Sequence, residues 1–250
     1  MRFRFFILPF IVLLTIAAAV CWFYVPTFGI WIMSILLIGY LLSAWWLDPE
    51  RTDWWRFAIT PWLLSLALSL FCLLVSGGWM VFIFMFLLVL LQIMYWRYVL
   101  VYTDSAASYT PFSLERLSFI LNFLVVFFLA SAMYGFKTFL DISTWILLPV
   151  FGVCLAILIS QRLWISKATG GVAWRLAGSL FFGTLQIFLL TSFLPLDFRL
   201  LGFLVASSYY GFVSLGSEVT DSTVDRRNMW ILIIILTLAC LAVFLTARWY

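Results

Sequence analysis

The feature that most constrains this chain is the recurrence of apolar stretches about as long as a bilayer is thick. A helix needs about 20 apolar residues to cross the hydrocarbon core. Stretches near that length follow one another along all 250 residues. With 66% hydrophobic and 10% charged residues, the chain has too few polar side chains to coat a soluble core. The sequence therefore predicts an all-α polytopic transmembrane helix bundle, with residues 1–250 as a single integral membrane domain.

Turn signals divide the apolar stretches into nine predicted transmembrane helices. Prolines, paired glycines and adjacent charges separate them, because such residues end helices. The eighth helix is the shortest and the least apolar. The predicted spans are about 5–24, 28–47, 57–76, 79–102, 117–136, 144–163, 173–193, 198–215 and 229–247.

The first span also has features of a signal peptide. Arg2 and Arg4 precede its apolar run, and small residues follow that run before Cys21. Cleavage is one alternative. The run is longer than the apolar core of a typical signal peptide, which favours retention as a transmembrane helix.

The distribution of basic residues predicts an orientation. Lys and Arg in short loops are retained on the cytoplasmic side of a membrane. If the N-terminus is cytoplasmic, eleven of the 14 basic residues fall on that side, and only Lys137, Arg199 and Arg248 fall outside. Because these residues occur singly or in pairs between apolar segments, they indicate topology and no nucleic-acid partner.

The composition argues against most catalytic chemistry. Histidine is absent, which removes the commonest general base and transition-metal ligand. The aspartates all fall in predicted loops or at helix ends, so none is placed for intramembrane aspartyl catalysis. The cysteines lie inside apolar runs without the spacing of a zinc site. We therefore expect no catalytic residue, no cofactor and no metal site.

One acidic group near the end of the eighth span suggests a different chemistry. Glu218, Asp221 and Asp225 are spaced at i, i+3 and i+7, which places them on one helical face. Such a face could hold magnesium against a diphosphate lipid. The favoured alternative is a solvated linker, because Asp225 adjoins the basic pair Arg226 and Arg227.

Small and polar residues inside the spans indicate close helix packing. Gly202 with Ala206, and Ser207 with Gly211, have the spacing that lets another helix approach closely. An amide or hydroxyl in lipid must find a polar partner, so polar residues inside spans are predicted to face the bundle interior. Both interhelical hydrogen bonding and a polar substrate path would place them there. The candidate interior residues are Gln92, Asn122, Thr184, Gln186, Ser207, Ser208 and Tyr210.

Several short segments carry a resemblance to a known family. They are residues 97–103 (RYVLVYT), Arg116 at the start of the fifth span, residues 225–227 (DRR) and residues 244–249 (FLTARW). With them the chain resembles an uncharacterised domain-of-unknown-function family of multi-pass membrane proteins from candidate-phylum bacteria. The resemblance covers most of the chain. It implies a bacterial cytoplasmic membrane and no particular activity, ligand or catalytic residue.

These features lead to three functional hypotheses. The first is a non-enzymatic scaffold or assembly component of the cell envelope, with the lipid bilayer and other membrane proteins as partners. The second is a transporter or flippase for a small or lipidic substrate, which the polar residues inside the spans would serve. The third, a lipid-modifying enzyme, depends only on the acidic face at Glu218.

Overall fold

A computed structural model describes residues 29–47, 55–75, 78–104, 113–165 and 171–220 of the chain. All regular secondary structure in these ranges is helical, as the sequence predicts. The predicted first and ninth spans lie outside them. The seven helices are α1 (Gly29–Leu47), α2 (Arg56–Cys72), α3 (Gly78–Asp104), α4 (Ser113–Leu140), α5 (Thr144–Ile165), α6 (Gly171–Thr191) and α7 (Phe198–Thr220).

These helices correspond in order to the second to eighth predicted spans, with shifts at some ends. The helix α2 ends at Cys72, earlier than predicted, and α4 runs from Ser113 to Leu140, longer than predicted at both ends. The turn after α4 therefore begins at Asp141 and does not include Lys137. Residues 137–140 belong to the helix. Asp141, with a φ of 53°, is the first residue to leave it.

Four helices among the described residues are long and apolar enough to cross a membrane. They are Gly78–Tyr102 within α3, Arg116–Leu140 within α4, Thr144–Trp164 within α5 and Trp174–Thr191 within α6. Ile35–Trp45 and Arg56–Cys72 are apolar but shorter. The described part of the chain is therefore that of a helical membrane protein. The nine spans and the cytoplasmic N-terminus stay predictions.

The chain divides into two compact units, residues 1–125 and residues 126–250. In the first unit, α2 packs against both α1 and α3. Small side chains such as Ala58, Ser65 and Ala67 are buried along α2 and let its neighbours approach closely. The helix α3 buries one stripe of side chains and exposes a broad apolar face, which includes Phe82 and Phe86.

In the second unit, α6 packs against both α5 and α7. Three aromatic rings form a continuous stack there. The Phe188 ring lies 4.8 Å from the ring of Tyr134 and 4.4 Å from that of Phe151, with interplanar angles of 20° and 12°. The stack joins α4, α5 and α6 through large buried surfaces, and aromatic pairs in such geometries are stabilising beyond the area they bury.

The helix α7 contacts α4 backbone to backbone at Gly202. A Cβ atom at this position would lie 2.8 Å from the backbone nitrogen and 2.9 Å from the Cα of Ser131. Both distances are too short for a methyl group, and backbone atoms cannot move aside as a side-chain end can. The close helix approach predicted from the spacing of Gly202 and Ala206 is confirmed at Gly202.

Replacing Gly202 with alanine should destabilise the protein, because the added methyl group must push α7 away from α4. We expect Gly202→Ala to lower the free energy of unfolding in detergent by about 1–3 kcal/mol. The matched control is Gly178→Ala in α6, where an added Cβ meets nothing within 4 Å. That substitution should be neutral, or stabilising by up to about 1 kcal/mol. Thermal unfolding followed by tryptophan fluorescence would compare them, and equal losses for both variants would contradict the assigned contact.

Candidate functional site

A proline inside α2 creates the main polar site of the first unit. Pro61 has no backbone N–H, so the carbonyl of Phe57, four residues earlier, lacks its usual donor in the helix. The hydroxyl of Tyr95 on α3 donates a hydrogen bond to this carbonyl at 3.0 Å. In a bilayer no water replaces a missing backbone partner, and a neighbouring helix must supply one. Tyr95 therefore takes the place of the missing amide.

A second side chain of α3 bonds to the same proline. The Nε2 atom of Gln92 donates to the carbonyl of Pro61 at 2.8 Å and approaches the Ser65 hydroxyl at 3.3 Å. Ser65 also donates to the Pro61 carbonyl, at 2.9 Å, and pairs with the Tyr40 hydroxyl of α1 at 3.4 Å. We call Tyr40, Phe57, Pro61, Ser65, Gln92 and Tyr95 the Pro61 cluster. It links α1, α2 and α3 through buried hydrogen bonds.

The face of α3 that carries the cluster also holds unpaired polar atoms. Within the part of the chain that the structure describes, the Oε1 atom of Gln92 and the Nε1 atom of Trp96 are buried and have no hydrogen-bond partner. Gln92 and Trp96 are four residues apart and so lie on the same side of the helix. A buried acceptor and a buried donor thus remain available side by side in the first unit.

Gln92 and Asn122 occupy the buried positions that the sequence predicts for them. Asn122 on α4 accepts a long hydrogen bond of 3.5 Å from the Thr60 hydroxyl of α2. Both amides therefore bond to α2 near Pro61, Gln92 at the Pro61 carbonyl and Asn122 at the Thr60 hydroxyl. This geometry favours interhelical bonding over a substrate path as the reason for their place in the bundle.

The candidate residues of the second unit divide between buried and exposed positions. Thr184 and Ser207 are buried, and Ser208 is half-buried. The hydroxyls of Thr184 and Ser208 donate to carbonyls four residues earlier in their own helices, at 2.7 Å and 2.8 Å. Such bonds satisfy a hydroxyl locally and need no substrate.

Two candidate residues of the second unit, Gln186 and Tyr210, are exposed in the structure. Gln186 is exposed, because it lies between Thr184 and Phe188, which share the buried face of α6. A displacement of two residues turns a side chain by about 200°, to the opposite side of the helix. Tyr210 is 38% exposed, whereas its neighbour Tyr209 is fully buried. The predicted interior residues thus do not all face inward.

The predicted acidic face falls mostly outside the described residues. Glu218 lies in the last turn of α7, and Asp221 and Asp225 lie beyond residue 220. The magnesium hypothesis therefore stays a prediction. Within the described ranges, no group of three or more acidic or cysteine side chains is arranged to hold a metal ion.

The last two turns of α4 carry polar contacts that the sequence does not predict. The hydroxyl of Tyr134 donates to the carbonyl of Phe188 at 2.7 Å and pairs with the Thr191 hydroxyl at 2.6 Å. One turn further on, the ammonium of Lys137 donates to the carbonyl of Ser192 and lies 5.9 Å from the centre of the Phe193 ring. The only sequence signal for this site is that Lys137 is an isolated cation at the end of an apolar span.

A cleft of about 330 Å³ opens beside Lys137 in the second unit. It lies where α4 ends, α5 begins and α6 ends. Two opposite charges, the Lys137 ammonium and the Asp141 carboxylate, belong to its wall together with aromatic rings. Its lining residues are Lys137, Asp141, Ile142, Ser143, Thr144, Trp145, Leu189 and Phe193.

The backbone at Asp141 is in the left-handed region, with a φ of 53°. This conformation ends α4 in the way that glycine usually ends a helix, and the amide of Ile142 closes the turn on the carbonyl of Phe136 at 3.5 Å. An aspartate tolerates the conformation better than most residues but still with strain. The turn places Asp141 in the wall of the cleft.

Comparison with family models, with curated proteins and with solved structures finds no match to this chain. The resemblance to a bacterial multi-pass family therefore stays a prediction. The helices and contacts of the described residues are those of a helical membrane protein.

The bond from Tyr95 to Phe57 can be tested with a double-mutant cycle. Tyr95→Phe keeps the ring and removes the donor, and we expect it to lower the free energy of unfolding by about 1 kcal/mol or more. In a Pro61→Ala background the new amide can bond to the Phe57 carbonyl, so the same change should cost clearly less. The free energy of unfolding in detergent would be measured for the unchanged protein, the two single variants and the double variant. If Tyr95→Phe lowers it equally in both backgrounds, the Tyr95 hydroxyl does not replace the missing amide.

Asp141 offers a test of backbone strain. We expect Asp141→Gly to raise the free energy of unfolding by about 0.5–1 kcal/mol, because glycine adopts positive φ without a steric penalty. Asp141→Ala should give no such gain, since it keeps a Cβ in the same conformation. Thermal unfolding of the two variants would measure the difference. A gain in stability for Asp141→Ala as large as that for Asp141→Gly would exclude backbone strain as the cause.

Proposed function

We propose that this chain is a non-enzymatic scaffold or assembly component of a bacterial cytoplasmic membrane, with nine spans and a cytoplasmic N-terminus. The observation that carries the proposal is the division of α3 into two faces. Its inner face, which includes Gln92, Tyr95 and Trp96, is buried. Its outer face is apolar and exposed over most of the helix, and is formed by Trp79, Met80, Phe82, Ile83, Phe86, Leu90 and Met94.

The outer face of α3 is long enough to receive a helix of another membrane protein. In lipid, an apolar surface by itself gives little preference for a protein over acyl chains, but methionine on a long face can adapt its shape to a partner helix. The other described helices are more deeply packed than α3 or expose shorter apolar stretches. A helix of another membrane protein lying along this face would cover it over several turns.

The placement of ionisable groups supports a non-enzymatic role. The described aspartates lie at helix ends, with Asp104 at the end of α3, Asp141 after α4 and Asp197 before α7. Buried polar groups such as Gln92 and Tyr134 are engaged in bonds that hold helices together. These groups have the geometry of packing contacts, which suits a structural component.

A second candidate function is a transporter or flippase for a small or lipidic substrate. The cleft beside Lys137 and Asp141 favours it, because an opening with two opposite charges at the end of three apolar helices is suited to a polar or amphiphilic molecule. The exposed position of Gln186 weighs against a polar path along α6.

Site-specific photo-crosslinking in the native membrane would test the scaffold. A photoreactive phenylalanine analogue at Phe82 or Phe86 should yield one discrete protein adduct, the same from both positions. The same analogue at Phe182 on α6 is the control, because its exposure of 64% matches the 63% of Phe82. That position should give lipid adducts only. Lipid adducts alone at all three positions, with a lone chain recovered in mild detergent, would overturn the scaffold proposal.

A further inference from the structure

The cleft beside Lys137 has the features of a binding site for a membrane lipid. We propose that it holds the phosphoethanolamine headgroup of a zwitterionic lipid, with the phosphate at Lys137 and the primary ammonium at Asp141. This ligand assignment is independent of the scaffold function, because the cleft lies in the second unit and the exposed face of α3 lies in the first.

The ammonium of Lys137 is held in place before any ligand arrives. It donates to the Ser192 carbonyl and lies over the Phe193 ring. An ammonium has three N–H donors, and within the described residues this is its one hydrogen bond, so donors remain for an anion in the cleft. A charge that is already positioned loses little side-chain entropy on binding.

Asp141 supplies the opposite charge without neutralising the lysine. Side chains four residues apart on a helix commonly form an ion pair, but Asp141 has left the helix through its left-handed backbone conformation. Among the described side chains, Lys137 and Asp141 do not form an ion pair with each other, although both line the cleft. Two opposite charges kept apart on one wall are complementary to a zwitterion.

The positions of the helix ends indicate that the cleft lies at the depth of the lipid headgroups. Three of the helices that are apolar enough to cross a membrane have an end there, at Leu140, Thr144 and Thr191. Trp145 and Phe193 are 71% and 75% exposed beside it. An exposed tryptophan at a helix end is typical of the boundary between headgroups and acyl chains. Leu189 extends the apolar wall along α6 toward the acyl chains.

The chemistry of the wall distinguishes among headgroups. A primary ammonium donates hydrogen bonds to the Asp141 carboxylate, whereas the quaternary ammonium of choline has no N–H to donate. A glycerol headgroup carries no positive charge and leaves the carboxylate unpaired beside the phosphate. The volume of about 330 Å³ is within the range of small-molecule sites. We therefore expect phosphatidylethanolamine to be preferred over phosphatidylcholine and phosphatidylglycerol.

Native mass spectrometry of the purified full chain in detergent would measure this preference. The chain is mixed with equal amounts of dioleoyl phosphatidylethanolamine, phosphatidylcholine and phosphatidylglycerol. We expect about tenfold tighter binding of the first lipid, because a hydrogen bond to a charged group is worth about a factor of ten or more. Asp141→Asn and Lys137→Gln should each remove most of the preference. Asparagine also tolerates the left-handed conformation, so the turn is kept.

Two matched variants control for net charge. Asp197→Asn and Arg199→Gln make the same charge changes near the start of α7, at residues that do not line the cleft. They should leave the lipid preference unchanged. Equal binding of the three lipids, or an unchanged preference in Asp141→Asn, would overturn the site. If soluble phosphoethanolamine binds as tightly as the lipid, the site recognises the zwitterionic headgroup, and the proposal that its ligand is a membrane lipid is wrong.

Discussion

The structure depends first on the rule that every backbone amide and carbonyl inside a bilayer must have a partner within the protein. Pro61 has no amide to donate to the Phe57 carbonyl, and side chains of α3 supply the missing bonds. Tyr95 bonds to the carbonyl that the proline leaves without a donor, and Gln92 bonds to the carbonyl of the proline itself. The packing of α2 against α3 is therefore set by specific polar atoms, and not by apolar contact alone, which in lipid gives little preference for one neighbour over another.

In the second unit, aromatic packing and a close backbone contact set which helices lie together. Its helices are joined by the ring stack of Tyr134, Phe188 and Phe151, and the Tyr134 hydroxyl bonds to the carbonyl of the same Phe188 against which its ring packs. The contact of Gly202 with Ser131 adds a close backbone approach. The aromatic rings fill the space where the helices are far apart. The absence of a side chain at Gly202 lets α7 approach α4 closely.

The sequence predicts much of this fold because hydropathy and turn residues act locally. The order of the helices from α1 to α7 and most of their ends follow from apolar stretches and their interruptions. The inward side of α6 can also be read from its helical period. Gln186 lies on the same face as the exposed Arg175 and Ser179, and the buried Thr184 lies on the opposite face. The cleft at Lys137 could not be predicted from local sequence, because it combines the turn between α4 and α5 with the distant end of α6.

The bond between Tyr95 and Phe57 has a consequence for how the membrane protein is made. A nascent helix that leaves the translocon alone must satisfy its own backbone, and α2, with 17 residues and a proline, is poorly equipped to do so. The missing donor is supplied 38 residues later in the chain. The pair of helices α2 and α3 is the smallest piece of this region in which the Phe57 carbonyl has its donor. We therefore expect both helices to enter the lipid together.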